Sequence, residues 1–281
     1  MKKAFGSMTT PGDFNVPTPP LTFMQSIRYS HDPRLVWFHL QQVNAAETML
    51  ASVAQADRGA ARAALKEIAS DTAFLGEFLK RHQRYAGREP KGHQFMFMSY
   101  QGGSPYFHQL VQYALVRLLR PAVVVETGGT PGNSSAFILR ALERNGKGEL
   151  HTVDLPPTGK LERGAQYEHG AWIHENMPEG QESGWAVPET LRQRHQRHLG
   201  DARELLPQVL DAVETVDLFI HDSDHSYEHM MFEFRTAWPH IRPGGVLMSD
   251  DIDNNRSWAD FTGEMGLSAY RTGGLGAARK P

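Results

Sequence analysis

The sequence predicts an α/β fold in which a doubly wound, mostly parallel sheet has helices on both faces. Three observations support this. From residue 122 onward, short apolar runs alternate with segments of helical periodicity. The run Val123-Val124-Val125 is β-branched and continuous, as in strands that are buried on both faces. The tail over 267–279 has Gly273-Gly274 near its centre, which predicts a closing antiparallel hairpin. Alternating strands and helices imply parallel strands joined by helical crossovers.

The predicted elements follow one another in a regular order. A helix is expected over 106–120, with Pro105 suited to its first turn. The predicted strands are 123–125, 150–153, 198–199, 217–221 and 246–249. The helices predicted between these strands are 134–144, 202–213 and 226–238. Together these elements predict one domain over residues 105–281.

The residues before this domain have a different character. Four prolines predict an irregular N-terminal arm over residues 1–31, because proline lacks a backbone donor and disfavours helix. Apolar residues at helical spacing predict two amphipathic helices over 34–82, forming a hairpin with a break at Asp57-Arg58-Gly59. The hairpin and the connection after it, residues 32–104, would form a lid or an oligomerisation surface. The long apolar stripes could pair with a second copy, so a homo-oligomer is expected.

The composition is that of an ordinary globular protein. The chain has 281 residues, of which 40% are hydrophobic and 22% charged, and its net charge is −3. No apolar run approaches the ~18 residues that a membrane span needs. The absence of cysteine excludes disulfides, zinc–thiolate sites and iron–sulfur clusters. We therefore expect a cytoplasmic protein that binds neither nucleic acid nor membrane.

A long irregular segment over 155–190 interrupts the domain. Loops of this length inside a domain are usually functional or disordered. Trp172, His174 and Trp185 lie in this segment, and aromatic side chains in a polar loop favour a contact surface. A substrate lid is the functional interpretation, and a solvated loop is the alternative.

Acidic residues follow the predicted strands. Ligands of open parallel sheets bind beyond the carboxyl ends of the strands. Glu126 begins the glycine turn 126–132, and the helix after it offers free N–H groups. Asp154 ends the second strand, where a carboxylate suits ribose hydroxyls, although an exposed loop carboxylate is the alternative. Asp201 after the third strand could cap the next helix or accept a hydrogen bond from an adenine amino group.

The last two parallel strands lead into a cluster of aspartates. Asp222 and Asp224 follow the fourth strand, and Asp250 and Asp251 follow the fifth. Adjacent strands would place Asp222, Asp250 and Asp251 close together, and crowded carboxylates need a cation or a shared proton. Oxygen ligands without a thiolate select Mg²⁺, Ca²⁺ or Mn²⁺. The alternative is that Asp222 and Asp250 cap loops and the other aspartate is solvated.

A competing pattern lies in the same region. His225-Ser226-Tyr227-Glu228-His229 matches the H-x-x-E-H sequence of inverted zinc peptidases. Short patterns arise by chance, and here the pattern opens a helix after an aspartate-rich strand end. We expect His225 to line the site and His229 to lie at the surface or to pack.

These residues resemble the class I S-adenosylmethionine-dependent methyltransferases, which have a Rossmann-like sheet. Glu126-x-Gly128-x-x-x-Gly132, Asp154 and Asp201 carry the resemblance. The segments 219–227 and 242–251 are similar to metal-dependent O-methyltransferases that act on sugars and other natural products. The resemblance covers residues 105–281, and it implies an O-methyltransferase acting on a small-molecule hydroxyl.

The resemblance also implies roles for individual residues. It implies that the S-adenosylmethionine contacts are Glu126, Gly128, Gly132, Ser134, Asp154, Asp201 and Asp222. It implies a Mg²⁺, Mn²⁺ or Ca²⁺ site of Asp222, Asp250 and Asp251, with Asp224 or His225 as the base. Pro131 departs from the family pattern, because it removes one backbone donor from the glycine turn.

Three other functions remain open at this point. Some members of the wider group work without metal, using a histidine or aspartate base. A nicotinamide-dependent oxidoreductase would use Asp154 in the same way, but it would leave Asp222, Asp250 and Asp251 without a role. A non-catalytic cofactor-binding or scaffold protein could be built on the helical hairpin.

Overall fold

The computed structural model describes residues 33–85, 107–156 and 181–281, and these form a seven-stranded sheet covered by helices. The strands are β1 (Val123–Thr127), β2 (Glu149–Asp154), β3 (His195–Leu199), β4 (Val216–His221), β5 (Ile241–Ser249), β6 (Ala269–Thr272) and β7 (Leu275–Arg279). Their order across the sheet is β3-β2-β1-β4-β5-β7-β6. Strands β1 to β5 run parallel, while β7 is antiparallel to both β5 and β6. The predicted α/β fold with its C-terminal antiparallel hairpin is therefore confirmed.

Eight α-helices and one 3-10 helix lie in the described residues. The helices are α1 (Pro33–Ala54), α2 (Arg58–Ala69), α3 (Thr72–Tyr85), α4 (Phe107–Leu119), α5 (Asn133–Asn145), α6 (Ala202–Val213), α7 (Tyr227–Ala237) and α8 (Ser257–Glu264). The 3-10 helix is Glu189–Arg194. No helix of the described residues is long and apolar enough to cross a membrane.

The sheet has a separate hydrophobic core on each face. Alternate strand residues point to opposite faces, so Val124 packs in one core and Val125 in the other. Helices α1 to α5 contribute buried residues to the first core, and helices α6 to α8 cover the second. The N-terminal helices therefore share a core with the sheet. Apolar residues that predicted a second copy, including Leu50 and Val53, are buried within this chain. The expected homo-oligomer stays a prediction.

The N-terminal segment contains three helices, so the prediction of two was wrong. The predicted break at 57–59 is present, because the Asp57 side chain caps α2 by accepting from the Ala60 N–H at 2.9 Å. A second break lies at Ser70-Asp71. There the Asp71 carboxylate accepts from the Phe74 N–H at 3.2 Å and from Arg140 Nη2 at 2.6 Å. The apolar spacing continues across this break, and that is why periodicity alone did not show it.

Three further features differ from the sequence expectations. Strand β5 starts at Ile241, five residues before the predicted strand 246–249. The added residues include Pro243, Gly244 and Gly245, and the pairing with β4 is irregular in this part. Helix α8 and the 3-10 helix were not predicted. Trp185 is 2% exposed and packs in the first core, so it is not part of an exposed contact surface. The arm 1–31, residues 86–104 of the predicted 84–104 connection, Trp172 and His174 lie outside the described residues.

The carboxyl ends of the central strands are joined by one buried carboxylate, Glu233 on α7. Its side chain accepts hydrogen bonds from four donors on three elements and one loop. The donors are Thr127 Oγ1 (2.5 Å), His221 Nδ1 (2.5 Å), Ser223 Oγ (2.7 Å) and His229 Nε2 (2.8 Å). Burial opposes the charged form of Glu233, but His221 and His229 outweigh it and hold its pKa far below the usual value. The network therefore fixes the ends of β1 and β4 relative to α7.

We predict that Glu233→Ala lowers the free energy of unfolding by about 3–5 kcal/mol, since the change leaves several buried donors without an acceptor. Glu233→Gln, which keeps one acceptor oxygen, should cost less. Denaturant unfolding followed by circular dichroism measures both. Glu264→Ala is the matched control, because Glu264 pairs with Arg235 at 2.9 Å on the surface and should contribute less than about 1 kcal/mol. A Glu233→Ala protein as stable as the control would contradict this role.

Candidate active site

The glycine turn after β1 packs tightly against two other parts of the chain. Gly128 has φ +81°, and a Cβ there would lie 1.9 Å from the backbone oxygen of Asp222. Gly132 has φ +102°, and a Cβ there would lie 2.8 Å from Gly184 Cα. A side chain at either position would collide with backbone, so only glycine allows this close approach. The turn therefore contacts the loop after β4 at Gly128 and the segment around Gly184 at Gly132.

Glu126 is fully buried beneath this turn. Its Oε2 atom accepts from Ser135 Oγ at 2.6 Å. The other oxygen, Oε1, has no hydrogen-bond partner among the described residues. Burial is the main influence on this group and raises the pKa of Glu126 to about 7. A buried carboxylate oxygen without a donor is typical of a site that receives a ligand.

Asp154 at the end of β2 is also buried, with 6% of the residue exposed. Its Oδ2 atom accepts from the hydroxyls of Thr130 and Ser183, and its Oδ1 atom accepts from the Leu155 N–H at 2.9 Å. Burial raises the pKa of Asp154, and the hydrogen bonds act against that rise. The alternative of an exposed loop carboxylate is therefore wrong.

Asp201 lies at the end of β3, beside Asp154. The two strand ends are joined by a hydrogen bond from the Gly200 N–H to the Asp154 backbone oxygen at 2.8 Å. The Asp201 side chain caps α6 by accepting from the Arg203 N–H at 2.8 Å. The capping role is thus confirmed, and the contact with adenine stays a prediction.

The expected cluster of aspartates forms where β4 and β5 end. His221 pairs with Ser249 in the sheet, so Asp222 and Asp250 follow directly from neighbouring positions. The charges of Asp250, Glu126, Asp251 and Asp154 all act on Asp222. Burial, and then these charges, raise the pKa of Asp222 well above its usual value. Carboxylates that follow four different strands therefore lie along one rim of the sheet.

His108 on α4 is part of this cluster, and the sequence analysis missed it. Its Nδ1 atom lies 3.0 Å from Asp250 Oδ1, and the residue is 4% exposed. Burial disfavours the charged imidazole, but the charges of Asp250 and Asp251 outweigh it and raise the pKa of His108. Burial likewise disfavours the Asp250 carboxylate, but His108 lowers the pKa of Asp250 to about 2. Nothing in the apolar spacing of α4 distinguishes this histidine.

The aspartates do not fit a divalent metal ion as they are arranged. In the described part of the chain, no three histidine, aspartate or glutamate side chains are grouped so that they could hold a metal. Asp250 Oδ1 already accepts from His108 and from the Asp251 N–H at 2.8 Å. Asp251 has a left-handed backbone, φ 49°. The metal site of Asp222, Asp250 and Asp251 stays a prediction of the resemblance.

The two candidate bases have different surroundings. Asp224 Oδ1 accepts from the Ser226 N–H at 2.7 Å, where the chain enters α7. His225 Nε2 lies 3.8 Å from Asp222 Oδ1, and its ring meets that of His221 edge-on at 5.2 Å between centroids. His229 bonds to Glu233 inside the second core, so it packs and does not form a zinc pair with His225. The role of base stays untested for both candidates.

A protein-family model described as a methyltransferase domain matches residues 125–252. The match begins in β1 and ends just after Asp251. It therefore contains every residue that we expected to contact the cofactor, a metal or the acceptor. Comparison with the curated proteins gives no match.

Several solved structures are similar to this chain at low identity. An SAH-bound methyltransferase from Podospora anserina, PaMTH1, is 11% identical, with 73% of this chain and 88% of that chain covered and a TM-score of 0.46. An O-methyltransferase from Bacillus cereus in complex with SAH is 18% identical, with 73% and 91% covered and a TM-score of 0.46. The O-methyltransferase TomG from Streptomyces achromogenes, in complex with SAM, is 18% identical, with 73% and 90% covered and a TM-score of 0.46.

The assignment rests on the family match and on the positions of the matched residues. The match starts at Val125 in the central strand, and it includes the glycine turn and the rim of carboxylates. The sheet has the fold that the resemblance led us to expect. Residues 125–252 of this chain are therefore similar to a methyltransferase domain.

Proposed function

We propose that the protein transfers a methyl group from S-adenosylmethionine to a hydroxyl oxygen of a small molecule, such as a sugar or another natural product. One observation carries this proposal. Carboxylates at the ends of β1, β2, β4 and β5 meet beside the glycine turn, and the charges of four of them act on Asp222. Such a rim favours a cationic cofactor, and its carboxylates supply candidate proton acceptors for a hydroxyl substrate.

The residues at the rim fit the cofactor. S-adenosylmethionine, when bound, supplies an electrophilic methyl group on a positively charged sulfonium. Gly128 and Gly132 would flank its methionine part, Glu126 would face its positive charge, and Asp154 would accept from its ribose hydroxyls. The Glu126 Oε1 atom, which is buried without a donor among the described residues, supports this placement. Ser134, Asp201 and Asp222 complete the proposed cofactor contacts.

The protein must align the acceptor oxygen and remove its proton. A protonated alcohol is a poor nucleophile, so a base within hydrogen-bond reach accelerates the reaction. The geometry favours His225, which lies beside Asp222, whereas Asp224 Oδ1 is engaged at the start of α7. As the new O–CH₃ bond forms and the S–CH₃ bond breaks, the hydroxyl proton passes to the base.

The arrangement favours the metal-independent form of this chemistry. His108 lies at hydrogen-bond distance from Asp250. Burial lowers the pKa of His108, but the charges of Asp250 and Asp251 outweigh burial and raise it. A protonated imidazole at this position would reduce the repulsion that a divalent ion would otherwise relieve. No step proposed here uses a metal.

Two properties of the chain support a small-molecule acceptor. The net charge of −3 gives no general attraction for a nucleic-acid acceptor. The similarity to sugar and natural-product O-methyltransferases in 219–227 and 242–251 points to the same class of acceptor. Incubation with S-adenosylmethionine labelled in its methyl group, together with a panel of hydroxylated sugars and phenols, tests the proposal. Label found only on nitrogen or carbon atoms, or on no acceptor, would overturn it.

We predict that S-adenosylmethionine binds more tightly as the pH rises from 6 to 8. Glu126 has a raised pKa of about 7, so it gains its negative charge in this range and attracts the cationic cofactor. The dissociation constant should fall by up to about tenfold, which is the change expected if cofactor binding shifts the pKa of Glu126 by about one unit. Calorimetry at each pH measures it.

Two controls isolate Glu126 in this experiment. Glu126→Gln should flatten the pH dependence, and SAH, which lacks the sulfonium charge, should show a smaller dependence. Equal affinities at pH 6 and pH 8 would contradict the assignment of Glu126 to the cofactor site.

The raised pKa of Glu126 also affects the free protein, which should lose stability as the pH rises from 4.5 to 7. The reason is that the folded state holds the Glu126 proton more tightly than the unfolded chain does.

We predict that His225→Ala lowers kcat by about 10²–10⁴-fold, the range expected for loss of a general base. Cofactor affinity should change less than about twofold, because the change removes a group on the acceptor side. Asp224→Asn is the contrasting variant and should lower kcat less than about tenfold, with little effect on the melting temperature because the Asn Oδ1 atom can still accept from the Ser226 N–H. The opposite ranking of the two kcat values would assign the base to Asp224.

We predict that methyl transfer continues in EDTA at a rate within about twofold of that with Mg²⁺, since the Asp250 carboxylate is already paired with His108. Initial rates after chelation, and after addition of Mg²⁺ or Mn²⁺, measure this. Activity that disappears in EDTA and returns with Mg²⁺ would contradict it and would favour the metal site of Asp222, Asp250 and Asp251.

A further inference from the structure

We propose that Ser183 gates the cofactor site by occupying the position of a ribose hydroxyl on Asp154. The gate is the segment 182–187, and the cofactor must displace the Ser183 hydroxyl from Asp154 in order to bind. This inference rests on the proposed use of S-adenosylmethionine. It goes beyond that proposal because it assigns control of cofactor affinity to a residue outside the expected contacts.

The Asp154 carboxylate has little acceptor capacity left in this structure. A carboxylate has about four lone-pair positions on its two oxygens. Three donors use three of them, namely the hydroxyls of Thr130 and Ser183 and the backbone N–H of Leu155. The two hydroxyls of a ribose diol can therefore both bond to Asp154 only by replacing one of the three.

Ser183 is the donor that can be replaced. The Leu155 N–H belongs to the residue that follows Asp154, and Thr130 belongs to the glycine turn. Ser183 comes from a separate segment, 29 residues after Asp154. Its Oγ atom lies 3.0 Å from Thr130 Oγ1, and both hydroxyls bond to Oδ2. The Ser183 hydroxyl thus occupies an acceptor position that a ribose hydroxyl would use.

The gate is held firmly in its closed position. The Ala186 N–H donates to the Pro131 backbone oxygen at 2.9 Å, and Gly184 lies against Gly132. Arg81 on α3 donates to the Trp185 backbone oxygen from Nε at 3.2 Å and Nη2 at 3.0 Å. Arg197 Nη1 on β3 donates to the Ser183 backbone oxygen at 2.7 Å. The protein therefore holds the Ser183 hydroxyl against Asp154, and binding must first break that bond.

This competition lowers the apparent affinity for the cofactor. When only a minor fraction of the protein is in the binding-competent state, the apparent dissociation constant is the intrinsic one divided by that fraction. A hydrogen bond to a charged group contributes enough free energy to shift the equilibrium between the closed and open gate by about tenfold or more. Removal of the Ser183 hydroxyl should therefore tighten cofactor binding, whereas removal of a hydroxyl that contacts the cofactor would weaken it.

Calorimetry with SAH on Ser183→Ala tests the gate. The dissociation constant should fall by about five- to thirtyfold relative to the unaltered protein. Ser257→Ala is the matched control, since Ser257 is a buried serine on α8 whose hydroxyl lies 3.1 Å from Met230 Sδ and is not among the donors to Asp154. Its affinity for SAH should be unchanged. An unchanged or weaker affinity of Ser183→Ala would overturn the gate.

Melting temperatures with and without saturating SAH separate the gate from a structural role. In the proposed gate, the bond between Ser183 and Asp154 exists only in the free protein. Without SAH, Ser183→Ala should therefore melt at a lower temperature than the unaltered protein, and with saturating SAH the two should melt at the same temperature. A serine with a structural role would lower both temperatures, and that result would overturn the gate. If the unaltered protein binds neither S-adenosylmethionine nor SAH, the proposed function fails as well, and this is visible before any variant is compared.

Discussion

The buried carboxylate of Glu233 is the interaction on which the geometry of the active site depends. It accepts from Thr127 at the end of β1, from His221 at the end of β4, and from Ser223 in the loop that follows. A charged group with no solvent contact is tolerated only when donors surround it, so the four donors and Glu233 must fold together. This requirement places the loop with Asp222 against Gly128, where the absence of a side chain allows contact between the two backbones.

The rim that results crowds buried carboxyl groups together. Glu126, Asp154 and Asp222 all have raised pKa values, with burial as the largest cause in each case. Such crowding is unfavourable when all the groups are ionised, and a bound proton or a neighbouring cation relieves it. The proposed cationic cofactor would act as such a cation. Strained and crowded groups of this kind are common where proteins bind and react.

The N-terminal helices take part in the site and share the domain's core. His82 on α3 bonds to Asn133 at the start of α5 at 2.9 Å, directly after the glycine turn. Burial lowers the pKa of His82 to about 4, so this ring is neutral near pH 7. Arg81 holds the segment that covers Asp154. Through these two residues, the packing of α3 sets the position of the glycine turn and of the proposed gate.

Local patterns in the sequence determined the order of strands and helices, the glycine turn and the acidic residue after each strand, because strand hydrophobicity and turn chemistry act over a few residues. The convergence of those residues followed from general rules for parallel sheets. Only the tertiary structure decided the contacts between distant residues. Thr127 and Glu233 lie 106 positions apart, His108 reaches Asp250 from another helix, and Ser183 closes on Asp154. The break at Asp71 was also invisible, because Arg140 holds that carboxylate from α5. Each of these pairings depends on how elements pack, and no spacing along the chain encodes it.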